Sequence, residues 1–275
     1  MPVLTIAAAV HIGVFGLFHP MQIDVKPVAG QVLMVETQGR TLALEGFASA
    51  HLRSPATITG RDGQDTAFIL SVPGKLHREF HGTAEIRRDG SHLEAIVSMN
   101  LETAVASIVA AEGGDATPLE ARKAQAVVAR SFLEAAHGRH RDFDFCDTTH
   151  CQFLREPPAE SSSAFRAAAE TRGQVLTYAG QVIAALYSAD CGGHTLALAE
   201  AGWRGAAGLE RVDQVGAAYP FFAVDCPVRG KILGHRVGMC QVGAAEMARR
   251  GAAFREILAY YFPATAIGQA PESRR

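Results

Sequence analysis

The spacing of apolar residues changes from alternating to helical at Thr117. Between residues 11 and 100, short apolar runs of period two are separated by turn residues, which is typical of antiparallel strands. The Asp89-Gly90 pair between two such runs predicts a hairpin, because glycine accepts the positive φ of a tight turn. From Thr117 onward, apolar residues recur at helical spacing. The sequence therefore predicts an α+β fold.

The first predicted helix begins in the segment TPLE, residues 117–120. This order predicts a capping box, in which Thr117 is the N-cap and the Glu120 side chain returns to the Thr117 backbone. Two later helical stretches are expected, and the second is interrupted at Gly251.

We predict three parts along the chain. Residues 1–100 form an antiparallel, β-rich N-terminal region that packs on a mixed α/β core. The core covers residues 101–267 and carries a loop rich in cysteine and histidine. Residues 268–275 are polar and are expected to be a disordered tail.

Composition excludes several classes of protein. The chain has 48% hydrophobic and 20% charged residues, which is typical of a globular protein. Lys+Arg 26 against Asp+Glu 28, without a basic run, argues against a nucleic-acid partner. No apolar stretch approaches the roughly 20 residues of a transmembrane segment. The first ten residues are apolar but lack the basic start of a clear signal peptide.

Two histidines and two cysteines lie close together in the segment HRDFDFCDTTHC; they are His140, Cys146, His150 and Cys151. Zn²⁺ prefers such nitrogen and sulfur donors, and four protein ligands would make the site structural rather than catalytic. The spacing differs from a Cys-x2-Cys knuckle. A Cys146–Cys151 disulfide in an oxidising compartment, or surface residues without a common role, are the alternatives. A disulfide between Cys191 and Cys226 is also open.

Glu112 is the candidate acid. It follows the apolar run SIVAA and precedes Gly113-Gly114, so it lies where one element ends and a cleft can open. Apolar surroundings disfavour an ionised carboxyl, which suits a general acid. The alternative is an ordinary solvated loop glutamate.

These segments, in this order, resemble the stage II sporulation protein D family, which includes amidase-enhancer proteins. The similarity spans about Leu101 to Pro263, in LETAVASIVAAE, PLEARKAQAVVARSF, CDTTHCQ, GQVLTYAGQVIAALYSADCGGHT, Trp203 and GHRVGMCQVGAAEMARRGAAFREILAYYFP. The N-terminal segment RRDGSHLEAIVSMNLE is also similar to the part that precedes this core in the family.

The resemblance implies a peptidoglycan lytic transglycosylase. Such an enzyme cleaves the MurNAc–GlcNAc β-1,4 bond in glycan strands, favours strands without stem peptides, and leaves 1,6-anhydro-MurNAc ends. The resemblance assigns the catalytic acid to Glu112 and a structural Zn²⁺ to His140, Cys146, His150 and Cys151. It places His235 and Gln241 in the cleft, and we predict sugar contacts from Arg130, Tyr187 and Ser188.

A single obvious acid is consistent with this chemistry. Hydrolases of glycosidic bonds normally need two carboxylates. A lytic transglycosylase needs one, which protonates the leaving oxygen and then deprotonates the MurNAc C6 hydroxyl. Asp115 could supply a second carboxylate, but the spacing does not require it.

The chain departs from the family pattern at three places. Gly113-Gly114 stands where Met-Pro usually follows the glutamate, Arg236 replaces a glycine, and Cys240 replaces a serine. These changes concern rate and substrate preference more than fold.

Two other functions stay open. The first is a non-catalytic amidase enhancer that binds the cell wall and stimulates an N-acetylmuramoyl-L-alanine amidase, its candidate partner. The second is a zinc enzyme, which would need an open coordination position. The family's substrate implies an extracytoplasmic location, in the cell wall or periplasm, although the chain shows no clear signal peptide.

Overall fold

Nine strands precede the first α-helix in a computed structural model of the chain, which describes residues 9–114, 116–201 and 219–271. They are β1 (Ala9–Val14), β2 (Ile23–Pro27), β3 (Val32–Thr37), β4 (Arg40–Glu45), β5 (Ala50–Leu52), β6 (Ala56–Thr59), β7 (Thr66–Val72), β8 (Leu76–Asp89) and β9 (His92–Asn100). The pairing among these nine is antiparallel, as the alternating pattern predicted. Residues 89–92 form the predicted hairpin turn, with Gly90 at φ 56°.

Helices and short strands form the rest of the described chain. The helices are α1 (Leu101–Glu112), α2 (Leu119–Ala135), α3 (Ser163–Glu170), α4 (Gln241–Arg249) and α5 (Phe254–Tyr261). The strands are β10 (Phe145–Cys146), β11 (Gln174–Tyr178), β12 (Gln181–Val182), β13 (Tyr187–Ser188), β14 (Asp190–Cys191), β15 (Ile232–Leu233), β16 (Met239–Cys240) and β17 (Ala266–Gln269). The fold is therefore mixed α+β, and Gly251 separates α4 from α5 as predicted.

The chain divides into two compact units. The first contains Met1–Ser107 and His140–Pro157, and the second contains Ile108–Arg139 and Pro158–Arg275. The loop that carries the four candidate metal ligands thus belongs to the β-rich unit, although the sequence placed it in the core. The reason is β10, which pairs in parallel with β1 at the edge of the large sheet.

Strand β8 organises the sheet of the first unit. Its first half pairs with β7, and its second half pairs with β6 on one side and β9 on the other. Gly82 lies where these pairings change, with φ 145°, and a Cβ at this position would lie 2.0 Å from the Ser98 carbonyl oxygen. Only glycine permits this close approach of two backbones.

The second unit is packed around α2. This helix contacts α3, α4, α5 and β11, and it is buried from Ala121 to Leu133 apart from Lys123. Its alanines leave room for neighbouring helices, since a small side chain lets backbones come close. A helix that is buried all round is stabilised by packing rather than by its own propensity.

Two local predictions are wrong. No side-chain capping bond forms at the start of α2, whose N-cap is Pro118. Glu120 instead accepts a hydrogen bond from the Phe254 backbone N–H at 2.8 Å and pairs with Lys123, because tertiary partners compete with the local cap. Gly268 and Gln269, expected in a disordered tail, lie in β17, which pairs with β11.

Among the described residues, no helix is both long and apolar enough to cross a membrane.

Replacing Gly82 with alanine should destabilise the first unit by about 3 kcal/mol or more, because the new Cβ overlaps a backbone carbonyl that cannot move alone. Gly74→Ala is the matched control. Gly74 also has positive φ but has open space at its Cβ position, so alanine should cost only about 1–2 kcal/mol there. Hydrogen exchange of peptides from β8 and β9 measures the loss of stability in each variant. An equal loss of stability in Gly82→Ala and Gly74→Ala would contradict the steric explanation.

Candidate functional site

Glu112 is the last residue of α1 and lines a small cavity within the second unit. The cavity has a volume of about 30 Å³, and its described polar lining comes from Glu112, Thr117, Gln125 and Gln241. Gly113 and Ala121 are among the small residues that complete it. A volume of this size holds one or two water molecules, and therefore a single hydroxyl-sized group.

Tyr187 contacts Glu112 directly. Its hydroxyl hydrogen-bonds the Glu112 carboxylate, and Gln125 lies beside the same hydroxyl. Burial raises the pKa of Tyr187 well above its usual value, and the negative charge of Glu112 raises it further. The phenol therefore stays protonated and donates to the carboxylate.

Strand pairing holds Tyr187 in place. β13 pairs in parallel with β16, which matches Tyr187 to Met239 and Ser188 to Cys240. The helix α4 follows β16 immediately, and its Val242 N–H donates to the Ala189 carbonyl at 3.2 Å. This arrangement brings Gln241, at the first turn of α4, to the cavity of Glu112.

His235 holds the backbone of Tyr187 through a hydrogen bond. Its Nδ1 accepts a hydrogen bond from the Val237 N–H at 3.1 Å, and its ring also bonds the Tyr187 backbone carbonyl. Because Nδ1 accepts, the proton of the neutral ring must be on Nε2. Burial lowers the pKa of His235 to about 4, and the bond to the carbonyl opposes this only in part. The ring is therefore neutral near pH 7.

Gln125 is a site residue that the sequence analysis missed. It lies on the buried α2, lines the cavity, and hydrogen-bonds the Tyr187 hydroxyl through its side chain. Its amide carries two N–H groups, so it can bind a water or a ligand oxygen in the cavity as well as the tyrosine. The signal was present in the sequence, since Gln125 is a polar residue inside an apolar helical stretch.

Arg130 does not belong to this site, which corrects the prediction of a sugar contact. It is fully buried on α2, and its guanidinium donates to the carbonyl oxygens of Gln174 at 3.0 Å and Ala168 at 3.3 Å. Its role is to tie α2 to α3 and β11. Ser188 is also buried, and it is not among the residues that line the cavity.

The Cys/His loop is anchored within the first unit. Asp147 forms a buried ion pair with Arg78, and its backbone N–H donates to the Gly13 carbonyl at 3.1 Å. Phe143 packs over Gly13, where a Cβ would lie 2.4 Å from the ring. These contacts fix both sides of Cys146.

The four side chains of this loop converge. The ligand atoms of His140, Cys146, His150 and Cys151 all lie within 4.8 Å of one another. Cys151 Sγ lies 3.3 Å from His140 Nε2 and 3.4 Å from His150 Nδ1, and Cys146 Sγ lies 3.6 Å from His150 Nδ1. Tetrahedral Zn²⁺ with its usual bond lengths places nitrogen and sulfur ligands about 3.5 Å apart. The donor set therefore fits zinc.

The electrostatics agree with a metal-binding role. The pKa of Cys146 is lowered to about 3, mainly by a hydrogen bond from Cys151, against the opposing effect of burial. All five cysteines of the chain are free thiols, so neither Cys146–Cys151 nor Cys191–Cys226 is a disulfide here.

Two residues from the sequence analysis, Asp115 and Trp203, lie outside the described residues.

Comparison with known proteins identifies the central part of the chain. Residues 89–178 match the sequence profile of the stage II sporulation protein family, SpoIID. The predicted resemblance to the SpoIID family is therefore confirmed for this segment, which is about a third of the chain. The matched segment contains Glu112 and all four residues of the Cys/His loop, whereas Tyr187, His235 and Gln241 lie beyond it.

A relative with a longer chain is also similar to part of this chain. An uncharacterized protein of Brachyspira hyodysenteriae is 31% identical over 120 residues. The match covers 42% of this chain, which spans about a third, 33%, of the length of that relative. The SpoIID family is linked to sporulation and the cell wall.

Arg236, one of the expected departures from the family pattern, has a left-handed backbone conformation, with φ 67°. That conformation costs a side-chain-bearing residue of the order of 1 kcal/mol. The guanidinium offsets this cost, since it donates to the carbonyl oxygens of Cys191 at 3.0 Å and His194 at 3.1 Å. Arg236 therefore fastens the 191–194 turn.

The lowered pKa of His235 predicts a pH-dependent stability. Between pH 6.5 and about 4, the unfolded chain binds a proton that the folded chain does not. The stabilising effect is complete above pH 6.5 and is lost as the pH falls through 4. Comparing urea unfolding of wild type with His235→Gln should show a shallower pH slope in the variant. His77→Gln, at an exposed histidine of β8, is the control for the loss of a histidine elsewhere in the chain.

Titration of the His235 ring by NMR is an independent check. A midpoint near 6.5 would contradict the buried, neutral state of the ring.

Proposed function

We propose that the chain is a peptidoglycan lytic transglycosylase, with Glu112 as its catalytic acid and base. The observation that carries this proposal is the Glu112 carboxylate, held by the Tyr187 hydroxyl beside a small polar cavity. Family membership of residues 89–178 agrees with an enzyme of the cell wall. The substrate is the MurNAc–GlcNAc β-1,4 bond in glycan strands free of stem peptides.

The reaction uses one carboxyl group twice. Protonated Glu112 gives its proton to the GlcNAc O4 as the bond between that oxygen and MurNAc C1 breaks. The resulting carboxylate takes the proton of the MurNAc C6 hydroxyl as O6 bonds to C1. The product is a 1,6-anhydro-MurNAc end, and Glu112 is protonated again without the entry of water.

The surroundings of Glu112 suit both steps. The end of α1 carries partial negative charge, which favours the neutral carboxyl before the first step. The Tyr187 hydroxyl donates to the carboxylate after it. Glu112 is the one carboxyl group in the described lining of the cavity, which suits an internal transfer better than a hydrolysis that requires two.

The remaining polar groups would position the substrate. The cavity has room for a hydroxyl-sized group, so it can receive the C6 hydroxyl of MurNAc beside Gln125 and Gln241. His235 would act as a positioning residue through Tyr187, because its ring bonds the Tyr187 backbone. We place this activity outside the cytoplasmic membrane, where the glycan strands are.

We further propose that the Cys/His loop holds a structural zinc ion. The ligands would be His140, Cys146, His150 and Cys151, whose N···S separations match a tetrahedral shell. With four protein ligands, the ion would have no position left for a substrate or water. Zinc would fix a loop that is otherwise held by Asp147, Phe143 and the short strand β10.

Glu112→Gln should abolish the release of anhydro-MurNAc ends, with a rate loss of about 100-fold or more, because glutamine cannot transfer a proton. The assay uses purified chain, peptide-free glycan strands and mass spectrometry of the soluble products. Glu102→Gln is the matched control, since Glu102 lies in the first turn of the same helix. It should retain the wild-type rate.

The same assay on peptide-free glycan strands distinguishes a lytic transglycosylase from an amidase enhancer. An enhancer leaves them intact in wild type and Glu112→Gln alike, and both proteins then stimulate an N-acetylmuramoyl-L-alanine amidase on whole peptidoglycan. That result would overturn the proposed activity.

Purified chain should contain zinc, and Cys146→Ser should lose it. Removal of zinc by a chelator should increase hydrogen exchange in residues 140–151, because the ion links the two ends of this loop. Metal analysis and exchange mass spectrometry measure both effects, with His81→Ala as a histidine control in the same unit. A zinc-free chain whose loop exchanges as slowly as before would contradict the site.

A further inference from the structure

A second cluster of thiols lies in the other compact unit. Cys191, Cys226 and Cys240 are all buried, and their sulfur atoms lie within 4.8 Å of one another. Cys191 ends β14 and Cys240 ends β16, and Cys226 lies in the segment that precedes β15. Unlike the Cys/His loop, this cluster contains no histidine or carboxylate in the part of the chain that the structure describes.

Hydrogen-bond donors surround the sulfurs. Cys240 Sγ receives the Cys191 N–H at 3.4 Å and the Gly243 N–H at 3.5 Å. The Tyr261 hydroxyl lies 3.3 Å from Cys226 Sγ. Donors of this kind stabilise thiolate ligands and fix their direction in metal sites.

The three cysteine side chains are tightly packed against the start of α4. A Cβ at Gly243 would lie 1.9 Å from the Tyr261 hydroxyl oxygen and 2.5 Å from Cys226 Sγ. The first turn of α4 therefore packs directly against the cysteine sulfur atoms. Cys240 is the N-cap of this helix, and its sulfur accepts a hydrogen bond from the Gly243 N–H. The positive end of the helix dipole faces the sulfur atom of Cys240.

We propose that Cys191, Cys226 and Cys240 form a three-thiolate site for a soft, thiophilic cation, with Cu(I) as the physiological type. Thiolate ligands select such ions over hard cations. Zinc is less suited, because its structural sites almost always have four protein ligands and the described residues supply three. Binding of one Cu(I) would displace the thiol protons, and the cation with the surrounding N–H and O–H donors would compensate the buried negative charge.

Such a site would stabilise the segment that carries Gln241. Cys240 directly precedes Gln241, and the ion would tie the start of α4 to the 191–194 turn. The inference does not depend on the reaction at Glu112, since it concerns metal binding alone.

The test uses the full chain, loaded with zinc and titrated with Cu(I) from a bicinchoninate buffer under reducing, anaerobic conditions. Native mass spectrometry counts zinc and copper separately. Wild type should bind one Cu(I), and Cys240→Ser should lose more than about 100-fold in Cu(I) affinity while keeping its zinc. Serine preserves the helix cap, so this variant removes a ligand without removing the N-cap acceptor. Cys146→Ser is the reverse control, which should lose zinc and keep Cu(I).

Two further variants guard against a folding defect. Cys191→Ala should also lose Cu(I), and Tyr261→Phe should bind one Cu(I) with affinity weaker by about 10-fold to 100-fold. X-ray absorption of the loaded chain should show three sulfur ligands per copper.

Three outcomes would overturn the proposal. Wild type could take up no copper, Cys240→Ser could take up as much as wild type, or the chain purified without reductant could be lighter by two hydrogens. In the last case, peptide mapping to a bond between two of the three cysteines would show a disulfide pair instead.

Discussion

The second unit depends on the burial of α2 between Ala121 and Leu133. Alanines let α3, α4, α5 and β11 approach this helix closely, and Arg130 is a large polar group that this packing buries fully. A buried guanidinium without partners would cost several kcal/mol, so its bonds to the Ala168 and Gln174 carbonyl oxygens constrain where α3 and β11 lie. The same helix carries Gln125 to the cavity of Glu112. Packing and site are therefore built on one element.

The candidate site is a chain of hydrogen bonds between residues far apart in sequence. Glu112 bonds the Tyr187 hydroxyl, the Tyr187 carbonyl bonds the His235 ring, and the ring accepts from Val237. Each bond restricts the next group, which is how a site holds a reacting carboxyl in one orientation. A neutral His235 adds no charge to this series of hydrogen bonds, so the protonation of Glu112 determines the charge of the site.

The chain uses cysteine in two physically different ways. The Cys/His loop mixes nitrogen and sulfur donors and is fastened to the sheet through β10 and the Arg78–Asp147 pair. The cluster of Cys191, Cys226 and Cys240 is buried and contains only thiols in its described part. Local spacing reveals the first cluster, because its residues are neighbours in sequence. The second is assembled from three distant segments, and sequence spacing could suggest only a Cys191–Cys226 pair.

Sequence alone determined the antiparallel strands before residue 100, the hairpin at Asp89-Gly90, the break at Gly251 and the grouping of the four loop residues, because these depend on local periodicity, turn chemistry and short spacing. It also singled out Glu112 and the family. It did not predict the helix α1, because the apolar run before Glu112 has no clear helical period. Tertiary structure decided the partners of long side chains. Glu120 bonds Phe254 instead of its own helix cap, and Arg130 satisfies buried carbonyls instead of facing a ligand. A polar side chain takes its strongest available partner, and for a buried residue that partner comes from packing between segments that local sequence does not encode.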